Sequence, residues 1–536
     1  MSSISTRLPI VYKLDVERPN AGHLGNDLIP GGRDVVYSKY TDDTAYAETR
    51  PSLIGYSHGP ENEQTVGGAR GLFYWETAES LITVYKSTVY EGIYGNTLIT
   101  LDTGNKEPVY WAEYSSTQLV MTDPAANKVY VLEWNGSTLS AREITTDLQQ
   151  DLQDEGIVGG VVALDNYIFL MSKAGKIYNC AVGDLGTWNA LDFQTTERAV
   201  DPGIYLAKQQ EHVVAISSSS IEIYYDAANP EGSPLKRRDD VSFLTGAIAY
   251  NKVHTNGEKL FFIGSSRLGS YAIFFLENLR LTQISYHGLD AWVNDTLLTY
   301  KKDFVLSSGT LGEHYLLYVT SVSDGGDHYI PVQTAVYDVP VAIWGRFRTQ
   351  VTEQPGYEEA FPVIAITERL GVESVGQTVM LVDGTLAIYS LEYRGVDTFS
   401  GLGPYVTIDG TVEGEALYWD PGYTTTIGSD ASWNINPRVV TEEWDGGTYT
   451  NKFMSRMAVV GRSRPSATDA SGNIIMRYSD DTYESWSDVR TTPAIKEWMY
   501  TRLGKCKRRA FMVGYEGTDH IRFENIEVGV GGSKWA

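Results

Sequence analysis

A strand–turn–strand unit recurs at least six times between residues about 70 and 400, and this repeat limits the possible folds more than any other feature. Each copy is an apolar run ending on Ser, Thr or Asp, a polar turn, and a second run with aromatic residues, as in IFLMSKAGKIYNC. The residues that open the six turns are Thr122, Ser172, Ser217, Ser265, Thr320 and Asp383. They are 50, 45, 48, 55 and 63 residues apart, and LFYWETAESLITVY adds a weaker seventh copy at Glu76. Such a period, with a hairpin in each copy, predicts a β-propeller of six or seven blades.

The units need one another because a single hairpin cannot bury both faces of its strands. Radial stacking supplies the missing partner surface and leaves only short, protected edges. The copies are rich in the β-branched and aromatic residues that suit a pleated, half-buried surface. We expect turns at the glycines between paired runs, namely Gly175, Gly269, Gly325, Gly326 and Gly384. A solenoid is the alternative, but its repeat lengths usually vary less.

The 536 residues exceed a single ordinary core and divide into three parts. Residues 1–60 are rich in Pro and Gly and predict an extended N-terminal arm. Residues 61–400 contain the repeat. Residues 401–536 lose the repeat but keep short strands such as NIIMRYSDD, which predicts a C-terminal β-sandwich or platform domain. Only TTDLQQDLQDEG at 145–156 favours a helix, so the expected fold class is all-β.

The chain carries 68 acidic and 43 basic residues, a formal net charge of −25. This balance argues against a protein that coats nucleic acid, because such binding depends on Lys and Arg at the phosphates. Double-stranded DNA remains possible as passing cargo, since an acidic wall repels a polyanion and lets it slide. Solubility through self-repulsion is the simpler explanation of the same charge.

The chain shows no apolar segment of bilayer or signal-peptide length, which predicts a cytosolic site of synthesis and no membrane segment. The two cysteines, Cys180 and Cys506, lie in different predicted domains. We expect buried free thiols rather than a disulfide.

No motif for catalysis, cofactor binding or metal binding stands out, and we predict none of the three. The eight histidines are scattered without ligand spacing, and His314 and His328 within one hairpin suit a polar turn better than a metal site. Phosphate-loop and zinc-protease motifs are missing from the sequence. A carboxylate pair for glycoside hydrolysis stays open because Asp and Glu are abundant.

One hairpin, YSDDTYESW, is similar to the Asp-box of sialidase-type propellers, S-x-D-x-G-x-T-W. Its matching residues are Ser479, Asp481 and Trp486, while Tyr483 replaces the Gly and Ser485 the Thr. In such a turn the Asp caps backbone amides and the Trp fills the core, so we expect a structural role.

A basic cluster follows in KEWMYTRLGKCKRRAFMVGYEG, in a chain that is otherwise acidic. Its central members are Arg502, Lys505, Lys507, Arg508 and Arg509. Three roles are open: an ion-paired interface with an acidic neighbouring subunit, contact with DNA phosphates, or a solvated strand edge that blocks strand addition.

Several segments together resemble the tail-hub, or packaged-DNA-stabilisation, family of short-tailed bacteriophages, which is related in role to nozzle proteins. They are LPIVYKLDVERPNAGHLGNDLIPGGRDVVY, VVAISSSSIEIYYDAANPEGSPL, SFLTGAIAYNKVHTNGEKLFFIG, YSDDTYESWSDVR and YTRLGKCKRRAFMVGY. The last segment matches the family's terminal R-x-G-x-x-(R/K)-R strand at Arg502, Gly504, Lys507, Arg508 and Arg509. The chain departs from the family in extra length around 320–365 and in the missing Asp-box glycine.

The resemblance implies a structural virion protein of the phage tail rather than an enzyme. It implies a homohexamer below the portal–adaptor ring that extends the DNA channel, retains the packaged genome until ejection, and carries tail fibres, spikes or a needle. A glycan-binding or glycan-hydrolysing propeller is the alternative, favoured by the Asp-box-like hairpin and the many aromatic residues. A bacterial scaffold propeller is a third, although the copies lack the Trp-Asp and double-Gly signatures of such families.

Overall fold

The fold is seen in a computed structural model of the chain. It describes residues 4–9, 31–39, 45–50, 53–57, 69–91, 96–101, 106–229, 231–265, 269–311, 314–324, 329–347, 361, 363–368, 377–381, 386–389, 396–399, 431–448, 450–464, 472–494 and 498–532.

Strands account for nearly all of the described secondary structure. The strands of the N-terminal segment are β1 (Ile4–Pro9), β2 (Gly31–Arg33), β3 (Val35–Lys39), β4 (Ala45–Thr49) and β5 (Leu53–Ser57). The first five groups of the repeat region are β6 (Ala69–Trp75), β7 (Ser80–Tyr85), β8 (Thr88–Glu91) and β9 (Thr97–Thr100); β10 (Tyr110–Ser115), β11 (Gln118–Asp123), β12 (Lys128–Trp134) and β13 (Leu139–Glu143); β14 (Val162–Leu164), β15 (Tyr167–Met171), β16 (Lys176–Ala181) and β17 (Asp184–Thr195); β18 (Gly203–Gln209), β19 (His212–Ser217), β20 (Ile221–Asp226) and β21 (Leu235–Phe243); β22 (Val253–Asn256), β23 (Lys259–Ser265), β24 (Tyr271–Glu277) and β25 (Arg280–Gln283).

The remaining elements complete the repeat and the C-terminal part. The last two groups of the repeat are β26 (Asp303–Leu311), β27 (His314–Asp324), β28 (Tyr329–Asp338) and β29 (Ile343–Phe347); β30 (Val363–Glu368), β31 (Gln377–Leu381) and β32 (Leu386–Tyr389). The C-terminal strands are β33 (Val396–Phe399), β34 (Ala431–Asn434), β35 (Arg438–Val440), β36 (Lys452–Arg464), β37 (Asn473–Ser479), β38 (Arg490–Pro493), β39 (Trp498–Cys506), β40 (Ala510–Glu516) and β41 (His520–Gly532). The helices are α1 (Gln150–Glu155) and α2 (His287–Asn294), with short 3-10 turns at Thr145–Asp147 and Tyr250–Lys252 and a π-helical turn at Asp295–Thr299.

The repeat forms antiparallel blades of four strands in chain order, which confirms the predicted all-β propeller. The middle strands of a blade are buried on both faces because neighbouring blades cover them, and β11, β15 and β19 are buried over nearly their whole length. Burial on both faces explains why these strands are continuous apolar runs instead of alternating patterns. Outer strands are more exposed, as β13 and β17 show.

The described strands form seven blades, which decides between the six and seven that the sequence left open. The first strands of all seven, namely β6, β10, β14, β18, β22, β26 and β30, line one central cavity of about 440 Å³. The seventh blade has only three strands from the repeat, β30, β31 and β32. Strand β5, which precedes the first blade in the sequence, pairs with β32 and supplies the fourth. The ring is therefore closed by non-consecutive strands.

Two packed sheets form the β-sandwich beside the propeller. One sheet has the order β3-β4-β41-β36-β39, with β1 also paired to β41. The other sheet continues from blade six through β29-β2-β35-β40-β37-β38. A single sheet of nine strands therefore runs from the propeller into the sandwich. Both sheets contribute buried side chains to one core, including Tyr37, Met457, Phe511 and Phe523. The predicted sandwich is thus joined to the propeller by a continuous sheet.

A glycine is required where the two domains join. Gly32 on β2 pairs in parallel with Gly345 on β29. A Cβ at Gly32 would lie 2.1 Å from Tyr37 Oη and 2.3 Å from Val35 Cγ2, distances that no side chain tolerates. The close approach of β2 to its own following strand therefore depends on the missing side chain.

The described strands of the predicted N-terminal arm pair with other parts of the fold. Strands β1, β3 and β4 belong to a sandwich sheet, and β5 belongs to blade seven. The boundaries predicted at 60/61 and 400/401 remain a prediction, and residues 400–430 lie outside the described residues. Cys180 and Cys506 are buried free thiols, as expected.

Two of the predicted turn positions were wrong. Thr320 lies inside β27, because this strand of blade six continues to Asp324 before the chain turns. Glu76 lies between β6 and β7, one strand earlier than in the other copies, so the weak seventh copy was aligned one strand out of register. Gly175 and Gly269 both have a φ of +80°, as turn glycines do, whereas Gly325, Gly326, Asp383 and Gly384 lie outside the described residues.

Candidate subunit interface

The basic cluster begins on β39, the last strand of its sandwich sheet, and ends at the start of β40 in the other sheet. It therefore connects the two layers of the sandwich. The exposed cations are Arg502, Lys505 and Lys507, whereas Arg508 is half-buried and Arg509 is buried. The five residues do not form a single charged face, which corrects the view of the cluster as one patch.

Arg509 is a structural residue of the sandwich. Its Nε and Nη2 donate to Asp480 Oδ1 and Oδ2 at 2.6 and 2.7 Å, and its Nη1 donates to the carbonyl oxygen of Leu503 at 2.7 Å. The guanidinium carbon also lies 4.0 Å from the ring centroid of Tyr478. With 1% of its surface exposed, Arg509 is not available to a partner.

Arg508 is also engaged within the chain, because its Nη1 lies 3.4 Å from Glu443 Oε2. Beneath it, the buried ammonium of Lys452 donates to the carbonyl oxygens of Thr448, Thr450 and Lys507 at 2.5, 3.1 and 2.8 Å. These contacts hold the turn between β39 and β40 from inside. The turn therefore keeps its shape without using the three exposed cations.

The carboxylate of Asp481 caps the turn of the Asp-box-like hairpin. Asp481 Oδ1 accepts from Ser479 Oγ at 2.8 Å and from the amide of Ser485 at 3.0 Å, and Asp481 Oδ2 accepts from Ser485 Oγ. These hydrogen bonds, first of all those from Ser485, lower the pKa of Asp481. Tyr483 has a φ of +68°, so the position that carries Gly in the Asp-box pattern is left-handed here too. A side chain is tolerated at this left-handed position because the ring of Tyr483 packs against the sandwich.

Tyr483 and Trp486 close the hairpin over the sandwich. Their ring centroids are 6.1 Å apart, and both pack against the buried cluster of Val440, Ile475 and Met512. Because Asp480 of this hairpin binds Arg509, the two motifs that the sequence showed separately form one unit. Sequence reasoning missed this link, since Asp480 and Arg509 are 29 residues apart and adjacent only through the pairing of Ser479 with Ala510.

Strand β39 is already protected against strand addition. Arg490 Nη1 donates to the carbonyl oxygen of Thr501 at 2.8 Å and covers part of the edge. Arg502 and Gly504 have φ values of +59° and +78°, and the pairing with β36 shifts register at this point. A bulged edge with occupied carbonyl groups does not template another strand. The exposed cations are therefore not needed to block aggregation.

Exposed apolar residues accompany the cations. Phe453 on β36 is 45% exposed and pairs with Lys505, and Met499 on β39 is 40% exposed and pairs with Ala458. We call Arg502, Lys505, Lys507, Phe453 and Met499 the edge patch. Within the described part of the chain, no ion pair involves Arg502, Lys505 or Lys507. Sequence reasoning did not single out Phe453 or Met499, and the pairing of β36 shifts register between Met454 and Arg456.

The central cavity of the propeller is a second candidate site. A stacked aromatic pair, Phe73 and Trp111, lies in its wall with ring centroids 5.8 Å apart. The buried Arg70 also lines it and pairs with Asp123 at 2.7 Å. Among the described residues no group of three or more His, Cys, Asp or Glu side chains is arranged to hold a metal ion. In the same part of the chain, no helix is long and apolar enough to cross a membrane.

Comparison with known proteins identifies the repeat region. Residues 53–372 match the family model of phage stabilisation proteins, described as bacteriophage P22 Gp10, beta-propeller. No curated protein matches the chain.

Three solved structures illustrate the similarity to known folds. The N-terminal domain of Nup159 covers 66% of this chain and 97% of its own length at 8% identity and a TM-score of 0.35. The computationally designed Ika8 protein covers 64% and 100% at 11% identity and a TM-score of 0.32. BamB from Moraxella catarrhalis covers 73% and 98% at 11% identity and a TM-score of 0.31. At these TM-scores the three structures add nothing to the assignment.

Proposed function

Because this chain belongs to the phage stabilisation family, whose β-propeller it shares, we propose that it forms a hexameric ring in the tail of a short-tailed phage. The ring would lie below the portal–adaptor complex and extend its channel for double-stranded DNA. It would retain the packaged genome, and it would carry tail fibres, spikes or a needle. The family is structural, so the proposed role is mechanical and the protein works in the virion after synthesis in the host cytoplasm.

The edge patch is the observation that carries the proposed assembly. It combines three exposed cations with Phe453 and Met499 on the last strand of a sheet and its neighbour. Interfaces between subunits usually combine apolar side chains with complementary charge, and charge fixes the register of the partners. Arg490 already covers part of the β39 edge. A contact with a second subunit would therefore be made by side chains rather than by backbone pairing.

The partner surface is proposed to be acidic and to belong to a second copy of the chain. A chain with a net charge of −25 offers many acidic surfaces and few basic ones. In a closed ring each subunit presents one surface to the next and a different surface to the one before. A scarce basic patch that meets an abundant acidic surface gives such a head-to-tail contact.

The test reverses only the exposed cations. The triple variant Arg502→Glu, Lys505→Glu and Lys507→Glu should remain a folded monomer and fail to form rings on purified portal–adaptor complexes. Arg508 and Arg509 are left unchanged, because Arg509 stabilises the fold. Light scattering and negative-stain imaging measure the mass and shape of the assembly.

A matched control reverses three exposed cations of the propeller, Lys173, Arg280 and Lys301, and changes the net charge by the same amount. This control should assemble like the natural chain. Rings of normal mass formed by the edge-patch variant would contradict the proposed interface. A natural chain that stays monomeric with portal–adaptor complexes would contradict the ring itself.

A glycan-binding propeller is the second candidate, and the stacked pair Phe73–Trp111 in the channel wall favours it. Aromatic faces bind sugar rings through their apolar sides, and the exposed Glu113 in the same wall could accept hydrogen bonds from hydroxyl groups. Binding of the protein to a glycan array, lost in Trp111→Ala and kept in the exposed-site control Tyr300→Ala, would support this candidate. Uniform failure to bind would leave the structural role alone.

A further inference from the structure

A serine from the N-terminal segment meets a histidine and an aspartate of two neighbouring strands where the sandwich packs on blade six. Ser38 Oγ lies 3.2 Å from His314 Nε2, and His314 Nδ1 lies 2.9 Å from Asp338 Oδ2. The three residues lie on β3, β27 and β28. The histidine considered above only as part of a polar turn is thus the centre of a hydrogen-bonded chain.

The two contacts fit one tautomer of the imidazole. In the tautomer with the hydrogen on Nδ1, His314 donates to the carboxylate of Asp338. Nε2 is then left with its lone pair directed at the hydroxyl group of Ser38. This is the arrangement in which a histidine can take the proton of a serine nucleophile.

Burial differs along the chain of three in the order that such chemistry needs. Asp338 and His314 are 3% and 6% exposed, whereas Ser38 is half-buried. The base and its orienting carboxylate are therefore more shielded from water than the serine residue is. Burial, and secondarily the charge of Asp338, raises the pKa of the neighbouring Tyr37, whose phenol therefore stays protonated.

The arrangement is costly for a purely structural contact. Asp338 Oδ1 is buried and makes no hydrogen bond within the described residues, so the carboxylate is only partly compensated. Apolar side chains of similar volume usually stabilise a buried seam as well as or better than ionised groups do. A chemical function of the imidazole would explain why a histidine and an aspartate, rather than apolar residues, lie in this seam.

We propose that Ser38, His314 and Asp338 form a nucleophilic site that acts on small carboxylic esters. Ser38 Oγ would attack the carbonyl carbon while its proton passes to His314 Nε2, and the C–O bond to the leaving alcohol would break as the alcohol takes that proton. Water would then hydrolyse the acyl-serine by the same proton route and release a carboxylic acid. Ser38 and His314 would be catalytic residues, and Asp338 a positioning residue. A half-buried hydroxyl group between packed sheets suits a short acyl group such as acetyl.

The first test needs only the full-length natural chain and a fluorophosphonate reagent. Ser38 Oγ would displace fluoride at phosphorus, and the intact mass would rise by one phosphonyl group that peptide mapping places on Ser38. Ser38→Ala should lose the adduct. The control Ser115→Ala, which removes a half-buried strand serine whose hydroxyl contacts Thr117, should keep it. Heat-unfolded protein should not react.

The second test separates catalysis from a structural contact. With p-nitrophenyl acetate, Asp338→Asn should slow nitrophenolate release by roughly a hundredfold or more, because the carboxamide favours the wrong tautomer of His314. Thermal melting identifies any variant that has not folded. A folded natural chain that gains no adduct at Ser38 would overturn the proposal, even if Ser38→Ala lowered the melting temperature.

Discussion

The propeller and the sandwich are both built from β-strands, but the strands that pair with each other are close in sequence in the propeller and far apart in the sandwich. Within a blade each strand pairs with the next one, as in the sheet β10-β11-β12-β13. In the sandwich, β1 pairs with β41 at opposite ends of the chain, and β2 joins β29 to β35. Local pairing leaves a repeat in the sequence, whereas pairing across 500 residues leaves none.

Each region also contains an ion pair with a buried arginine. In the propeller, Arg70 of blade one pairs with Asp123 of blade two, and both side chains are fully buried. In the sandwich, Arg509 pairs with Asp480, whose side chain is 38% exposed. The two pairs have similar distances but different access to water. Variants of the two pairs test whether access of solvent to one partner reduces the loss of stability when the other partner is removed.

The largest effect is expected for the propeller pair. Asp123→Leu would leave the guanidinium of Arg70 buried without its carboxylate and should lower the free energy of unfolding by about 4 kcal/mol. The double variant with Arg70→Met should recover most of this loss, since no charge is then buried. Urea unfolding of the natural chain, both single variants and the double variant measures the cycle. Additive losses would show that the two residues are not coupled.

A smaller loss is expected in the sandwich. Arg509→Met should lower the free energy of unfolding by about 3 kcal/mol, because Asp480 can be solvated while the carbonyl oxygen of Leu503 loses its donor. Arg508→Met, beside it in the chain but half-buried and weakly paired, is the control and should change stability little. A larger loss of unfolding free energy for Arg509→Met than for Asp123→Leu would mean that solvent access does not determine which ion pair costs more to break.

The junction between the regions is sensitive to a single methyl group. Gly32→Ala should cost about 2 kcal/mol, because its Cβ would overlap Tyr37 and Val35 and force the strands apart. Gly186→Ala is the control, since its Cβ would lie 3.4 Å from Asp184 Oδ1 at an exposed position. Thermal unfolding compares the two variants. Equal melting temperatures would show that β2 can move away from its neighbours without cost.

The smallest effect concerns the Asp481 turn and depends on pH. The pKa of Asp481 is lowered from 3.8 by its hydrogen bonds, so the folded state favours the ionised carboxylate. Its contribution to stability is present above pH 3.8 and is lost as the pH falls through the lowered pKa. The natural chain should therefore be slightly more stable than Asp481→Asn at neutral pH, and the difference should shrink in acid. A difference that is constant down to pH 2 would contradict this assignment.

The Asp-box motif shows how far local sequence reasoning reaches. The roles of Ser479 and Asp481 follow from residues two to four positions apart, so the spacing alone predicted the capped turn. Arg509 belongs to a run of cations that predicted an exposed patch, and only its partner Asp480, placed by the pairing of β37 with β40, makes it a buried residue. A charge pattern gives the residue type at a position but not the direction in which the side chain points.

The sequence by itself determined the propeller and the character of its blades, because each hairpin forms between neighbouring residues and the apolar runs report burial on both faces. It also indicated the capped turn near Ser479. Only the tertiary structure decided that there are seven blades, since β5 closes the last one from the other end of the repeat. It likewise decided that Arg509 is buried, that the edge patch is exposed, and that Ser38, His314 and Asp338 meet. Closure of the last blade and the contact of Ser38 with His314 join strands hundreds of residues apart, and Arg509 meets Asp480 across 29 residues. A single sequence contains no periodic signal for such pairings.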